Sequence, residues 1–68
     1  MNKHIRLAID SMKREKEYWR ELPKIKKAAD MITPDVYKLM CQRIVELDAA
    51  IQYLVALDLS LESSNADN

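Results

Sequence analysis

The stretch Val36–Leu61, VYKLMCQRIVELDAAIQYLVALDLSL, decides the fold of this chain. It contains neither Gly nor Pro, and eighteen of its twenty-six residues are apolar, so it predicts one long helix. In the part Ala49–Leu59, the only strongly polar residues are Gln52 and Asp58. A helix that is apolar nearly all round must be buried nearly all round, which a chain of 68 residues cannot achieve alone. The sequence therefore predicts assembly with another molecule.

The segment Ile32–Asp35 has the composition of a helix start. Thr33 can cap the first turn, Pro34 suits the first helical position, and Asp35 complements the helix dipole. We therefore predict that the long helix runs from Pro34 to about Leu61.

A first helix is predicted from about Lys3 to Asp30. Pro23 interrupts it, because a proline inside a helix lacks an N–H group and crowds the carbonyl four residues earlier. We predict a kink near Pro23 rather than two shorter helices meeting there, because Leu22 would be a poor N-cap for the second of them.

Length and composition limit how such a chain can be stabilised. Residues 1–61 make one domain, and the polar end ESSNADN predicts a disordered tail over residues 62–68. A core this small supplies only about 3–5 kcal/mol unless it is cross-linked, metal-bound or oligomeric. The lone Cys41 cannot form an internal disulfide, and one Cys with one His does not make a zinc site. Oligomerisation or partner binding is the expected source of stability.

The short connection between the two helices predicts an antiparallel two-helix hairpin in an all-α fold. Charge agrees with this arrangement, since residues 1–30 carry nine Lys/Arg against five Asp/Glu, and residues 31–68 carry two against six. The hairpin register predicts Trp19 beside Leu47 in the core, and Pro23 beside Arg43.

The polar face of the long helix ends near its middle, so uncovered apolar surface is expected at residues 49–59. Two hairpins that pack through this surface form a four-helix bundle, and symmetric dimers are the commonest closed assemblies. The residues predicted to mediate self-association are Ala49, Tyr53, Ala56 and Leu57.

A second candidate surface is basic and lies mainly on the first helix. It could dock on a larger protein or contact nucleic-acid phosphates. The interleaved Glu15, Glu17 and Glu21 would repel phosphates, so a solvated face of alternating charges is favoured over phosphate binding. Arg43 either pairs with Glu46 or an acidic partner residue, or extends its charged end to solvent at the edge of the bundle. The candidate residues are Lys13, Arg14, Lys16, Arg20, Lys24, Lys27 and Arg43.

No arrangement of residues indicates catalysis, a cofactor or a metal. His4 lies near a terminus, and Cys41 is predicted to be a buried, unreactive thiol. The apolar runs are too short for a membrane span, and a single cysteine suggests the reducing cytoplasm. The sequence thus predicts a non-enzymatic interaction module, either a regulator or inhibitor of a larger protein or a small assembly subunit.

Overall fold

The computed structural model describes residues 2–66, and the side chains of residues 2–63. Helix α1 spans Lys3–Glu21, a 3₁₀ turn spans Leu22–Lys24, α2 spans Lys26–Ala29, and α3 spans Pro34–Ala66. The described residues include no β-strand, so the all-α prediction is confirmed.

Helix α1 begins where its sequence predicts but ends earlier. The Asn2 side chain caps it by accepting hydrogen bonds from the backbone N–H groups of His4 and Ile5, at 2.9 and 3.1 Å. The predicted continuous, kinked helix is wrong. After the 3₁₀ turn that contains Pro23, Ile25 adopts an extended conformation with φ −85° and ψ 118°, which breaks the helix before the short α2.

The predicted start of α3 is confirmed. The Thr33 hydroxyl accepts a hydrogen bond from the Val36 N–H group at 3.2 Å, and Pro34 is the first helical residue. The predicted end at Leu61 is wrong, because α3 continues through Ala66 and residues 62–66 are helical. This segment contains no Gly or Pro to stop the helix. Residues 67 and 68 of the predicted tail lie outside the described residues.

Contacts at both ends show that α1 and α3 lie side by side in opposite directions. Asp58 accepts a hydrogen bond from the Asn2 N–H group at 3.1 Å, and Arg43 forms an ion pair with Glu15 at 2.7 Å. Arg43 therefore does not lie beside Pro23 as predicted. Helix α1 ends at residue 21, and its residues contact α3 residues that lie nearer the start of α3 than predicted. Trp19, for example, lines a cavity with Met40, which is about two turns before the predicted neighbour Leu47.

The two helices form a single thin layer of 56 by 17 by 13 Å. Its thickness is close to the roughly 10–12 Å diameter of one helix, so each helix covers only the facing side of the other. Among the described residues, the buried apolar side chains are Ile9, Met40, Leu47 and Ile51. Leu47 is thus in the core as predicted, whereas Trp19 is only half-buried.

Asp58 ties the two helices together near the start of α1. It is only 5% exposed, and its carboxylate lies at the positive end of the α1 dipole while it accepts the Asn2 N–H group. We expect Asp58→Asn to lower the free energy of unfolding by about 1 kcal/mol, since it removes a charge-assisted hydrogen bond without changing volume. Urea unfolding followed by circular dichroism measures this, and equal stability of the variant would contradict the assignment.

Candidate functional site

The four predicted self-association residues form one exposed patch on α3, which we call the Tyr53 patch. Ala49 lies two residues from both Leu47 and Ile51, which are buried, so it points away from α1. Tyr53, one turn later, is 70% exposed and is followed by the exposed Ala56 and Leu57. Nothing in α1 covers this side of the helix.

Uncovered apolar surface extends beyond this patch. Thirteen large apolar side chains of the described residues are at least 37% exposed, and nine of them belong to α3. Uncovered apolar surface is not confined to the predicted residues 49–59, because Leu39 is 64% and Val45 is 68% exposed. Both point away from α1, and the layer has no second tier of helices to cover them.

A charged cluster joins α1 to α3 on one side of the layer. The Glu15 carboxylate accepts hydrogen bonds from Arg43 Nε at 2.7 Å and from Trp19 Nε1 at 3.3 Å. Arg43 also lies 3.6 Å from Glu46, so the predicted Arg43–Glu46 pair is present. The hydrogen bond from Arg43 lowers the pKa of Glu15 below its ordinary value. Arg43 therefore links α3 to α1 within the chain.

A second ion pair joins α1 to α3 at Lys16, the residue after Glu15. Lys16 Nζ donates to Asp48 Oδ1 at 2.9 Å, and the other oxygen of Asp48 accepts from Gln52 at 3.2 Å. The hydrogen bond from Lys16, together with its charge, lowers the pKa of Asp48. Lys16 is thereby withdrawn from the basic surface on which the sequence placed it.

The basic candidate residues do not form one continuous surface. Three of the seven are engaged by carboxylates: Lys16 with Asp48, Lys24 with Glu21 at 3.1 Å, and Arg43 with Glu15. The remaining four are exposed and lie apart from one another. Lys13 lines a groove beside Asp10, and Arg14 lines a depression beside Tyr18. Arg20 lines a cavity beside Trp19, and Lys27 belongs to α2. This dispersal weakens the case for a phosphate-binding strip.

The lone cysteine differs from its prediction. Cys41 is exposed rather than buried, because it lies on the side of α3 next to the outward-facing Lys38 and Gln42. Within residues 2–66 no three His, Cys, Asp or Glu side chains are arranged to hold a metal ion. No described helix combines the length and apolarity needed to cross a bilayer.

No protein-family model, curated protein or solved structure matches this chain. What the surface does must therefore be argued from its own residues.

Sequence reasoning missed the role of Glu15. This residue belongs to the charged run KREKE, which is predicted to lie on a solvated face, yet it contacts both Trp19 and Arg43. The spacing of Glu15 and Trp19, four residues apart, was the available signal for this contact. The antiparallel register does bring Asp58 near the start of α1, but the sequence did not predict its burial or its hydrogen bond with Asn2.

The lowered pKa values predict a loss of stability in acid. A carboxyl whose pKa is lower in the folded state stabilises that state fully above its unfolded pKa, and this contribution disappears as pH falls through the folded pKa. For Glu15 and Asp48 the ordinary values are 4.5 and 3.8, so the free energy of unfolding should fall below about pH 4.5. Urea midpoints between pH 7 and pH 3 measure this.

The matched pair Glu15→Gln and Glu17→Gln tests the cause. Glu15→Gln should reduce the loss of unfolding free energy between pH 7 and pH 3 (the acid limb of the stability curve), because it removes a carboxyl whose pKa is lowered in the folded state. Glu17 lies on the outside of α1 and makes no contact with the described residues of α3 that would hold the helices together. Its one effect on a lowered pKa is on Glu21, where the hydrogen bond from Lys24 is the larger cause and that with Glu17 the next, so its replacement should change the limb less than Glu15→Gln does. Equal curves for the two variants would show that the Glu15–Arg43 pair does not contribute.

Proposed function

We propose that this chain is a non-enzymatic protein–protein interaction module that self-associates through α3 into a homodimeric four-helix bundle. In this assembly, each antiparallel hairpin of α1 and α3 supplies two of the four helices. The bundle acts as a regulator or inhibitor that docks on a larger protein, or as a small subunit of an assembly.

The observation that carries this proposal is the imbalance between buried and exposed apolar side chains. Four large apolar residues of the described chain are buried, against thirteen that are at least 37% exposed. Large contiguous patches of exposed apolar side chains mark interaction sites in soluble proteins, and the exposed residues of α3 include such candidates on its uncovered sides. A second hairpin laid on one side of the first would bury the apolar side chains of that side.

The size of the layer supports the same proposal. A standard protein–protein interface covers roughly 800 Å² of each partner. The chain is 56 by 17 Å in its two longest dimensions, and α1 accompanies α3 over only about 28 Å of this length, so an interface of that size would also use the part of α3 beyond α1. Because a core of four buried apolar residues contributes little, the interface would supply a substantial share of the stability.

We place the protein in the cytoplasm, where thiols stay reduced. An exposed free Cys41 in an oxidising compartment would be open to cross-linking with other thiols. The exposed polar side of α1, which carries Arg14 and Glu17, is the candidate surface for a larger partner because it lies opposite the interface with α3.

Concentration dependence of thermal unfolding tests self-association. If folding is coupled to dimer formation, the Tm rises with chain concentration. For two chains of 68 residues, the unfolding enthalpy predicts a rise of roughly 5 °C for each tenfold increase in concentration. A Tm that stays the same over a roughly hundredfold range of chain concentration would contradict the proposal.

A further inference from the structure

The two broad sides of the helical layer differ in charge. One side carries charged residues of α1 that line grooves shared with α3, namely Arg6, Asp10, Lys13 and Arg20. Residues spaced three or four apart lie on one side of a helix, so the α3 residues that line these grooves also share that side. They are Tyr37, Cys41, Ile44, Val55 and Leu59. We call this side the Leu59 face.

The opposite side carries small and apolar residues, and we call it the Leu57 face. Its residues follow one another three or four positions apart along each helix, or at multiples of that spacing, so they lie on one side of the helix. Leu39, Leu57 and Leu61 of α3 are 64%, 37% and 40% exposed. The face consists of His4, Ala8 and Ser11 of α1, and Leu39, Ala50, Leu57 and Leu61 of α3.

Charge on the Leu57 face is confined to one end and is mutually paired. Glu15, Arg43 and Glu46 form the cluster near the connection between the helices, with Arg43 between the two carboxylates. The rest of the face, from Ser11 to the start of α1 and from Ala50 to Leu61, carries no Asp, Glu, Lys or Arg at its positions. Burial of this region costs no desolvation of charge.

We propose that the Leu57 face is the interface of the dimer, and that a second copy of this chain covers it with α1 taking part alongside α3. This inference rests on the proposed self-association and adds which side is buried. The two-fold axis runs through the charge-free region near Ser11 and Ala50, where small side chains allow the two layers to approach closely. The buried surface extends onto the Tyr53 patch and covers the Tyr53 ring, since Tyr53 lies three residues from Ala50 and four from Leu57.

Three features favour a second copy as the occupant. The face is continuous with the Tyr53 patch, because Leu57 belongs to both. A two-fold axis through its charge-free region sets apolar surface against apolar surface and leaves both paired clusters at the periphery. Stacking of two Leu59 faces would instead bury the charged side chains of Arg6, Asp10 and Lys13 of both copies, which costs desolvation.

Two leucines of α3 provide a matched test. Leu57 and Leu59 are two residues apart and therefore point to opposite sides of the helix. We expect Leu57→Glu to convert the dimer into monomer at micromolar concentration, because each copy would bury an unpaired carboxylate. Leu59→Glu introduces the same charge on the other face, and this variant should remain dimeric.

Ser11→Glu tests the contribution of α1 without removing any apolar contact. Ser11 is exposed, and near the axis two introduced carboxylates would repel each other, so the dimer dissociation constant should rise at least tenfold. Sedimentation equilibrium measures all three variants beside the unmodified chain. The inference is overturned if Leu59→Glu dissociates the dimer, or if Leu57→Glu or Ser11→Glu leaves it intact, whereas a monomeric unmodified chain overturns self-association itself.

Discussion

Tyr53→Asp is expected to weaken dimerisation by roughly three orders of magnitude. Buried aromatic anchors typically contribute about 2 kcal/mol or more to an interface, and a symmetric dimer contains two copies of each. Loss of about 4 kcal/mol corresponds to a roughly thousandfold increase in the dissociation constant. Tyr53 is 70% exposed in the single chain, so its replacement removes little that holds α1 to α3. Sedimentation equilibrium over a dilution series measures the effect.

Tyr18→Asp is the matched control for this prediction. Tyr18 is also an exposed tyrosine inside a helix, at 57%, and it stacks edge-on against Trp19 with ring centres 5.1 Å apart. It lies on the outside of α1, away from the Tyr53 patch. The same helix-propensity cost and added charge should therefore leave dimerisation unchanged. Equal weakening by both substitutions would mean that charge alone, and not the Tyr53 patch, governs association.

Leu47→Ala is expected to unfold most of the protein. Leu47 is the most deeply buried apolar residue of the described chain at 4% exposure, and large-to-small core substitutions of this kind cost about 2–5 kcal/mol. A domain of this size has only about 3–5 kcal/mol from its own core. Circular dichroism at fixed chain concentration should show loss of most helical signal at 25 °C.

Leu59→Ala provides the control for the core prediction. It makes the same substitution in the same helix at a side chain that is 60% exposed, where changes usually alter stability by less than about 0.5 kcal/mol. If Leu59→Ala lowers the urea midpoint as much as Leu47→Ala does, α1 and α3 do not pack in the register that we describe.

The helical class and the start of α3 could be predicted because local residues determine them. Thr33 and Pro34 favour a helix start in any context, and the absence of Gly and Pro from α3 leaves nothing to stop the helix. The end of α3 could not be predicted in this way. The polar composition of residues 62–66 is typical of a disordered tail, but Ser and Asn are tolerated in helices, and these residues are helical.

Register could not be predicted in the same way, because it depends on how the chain reverses. The extended conformation at Ile25 breaks the first helix, and this changes which α1 residues face α3. Arg43 therefore meets Glu15 rather than Pro23. Likewise, the apolar stretch of α3 indicated that some of its side chains are left exposed by α1. Only the position of α1 in the structure shows that Leu39 and Val45 are among them.

The mass of the unmodified chain in solution tests the central claim most directly. Sedimentation equilibrium at micromolar concentration should give twice the 7.9 kDa chain mass, with reversible dissociation on dilution. A folded, helical species that keeps the mass of one chain across this range would contradict the account, because its exposed apolar side chains would then need no second copy.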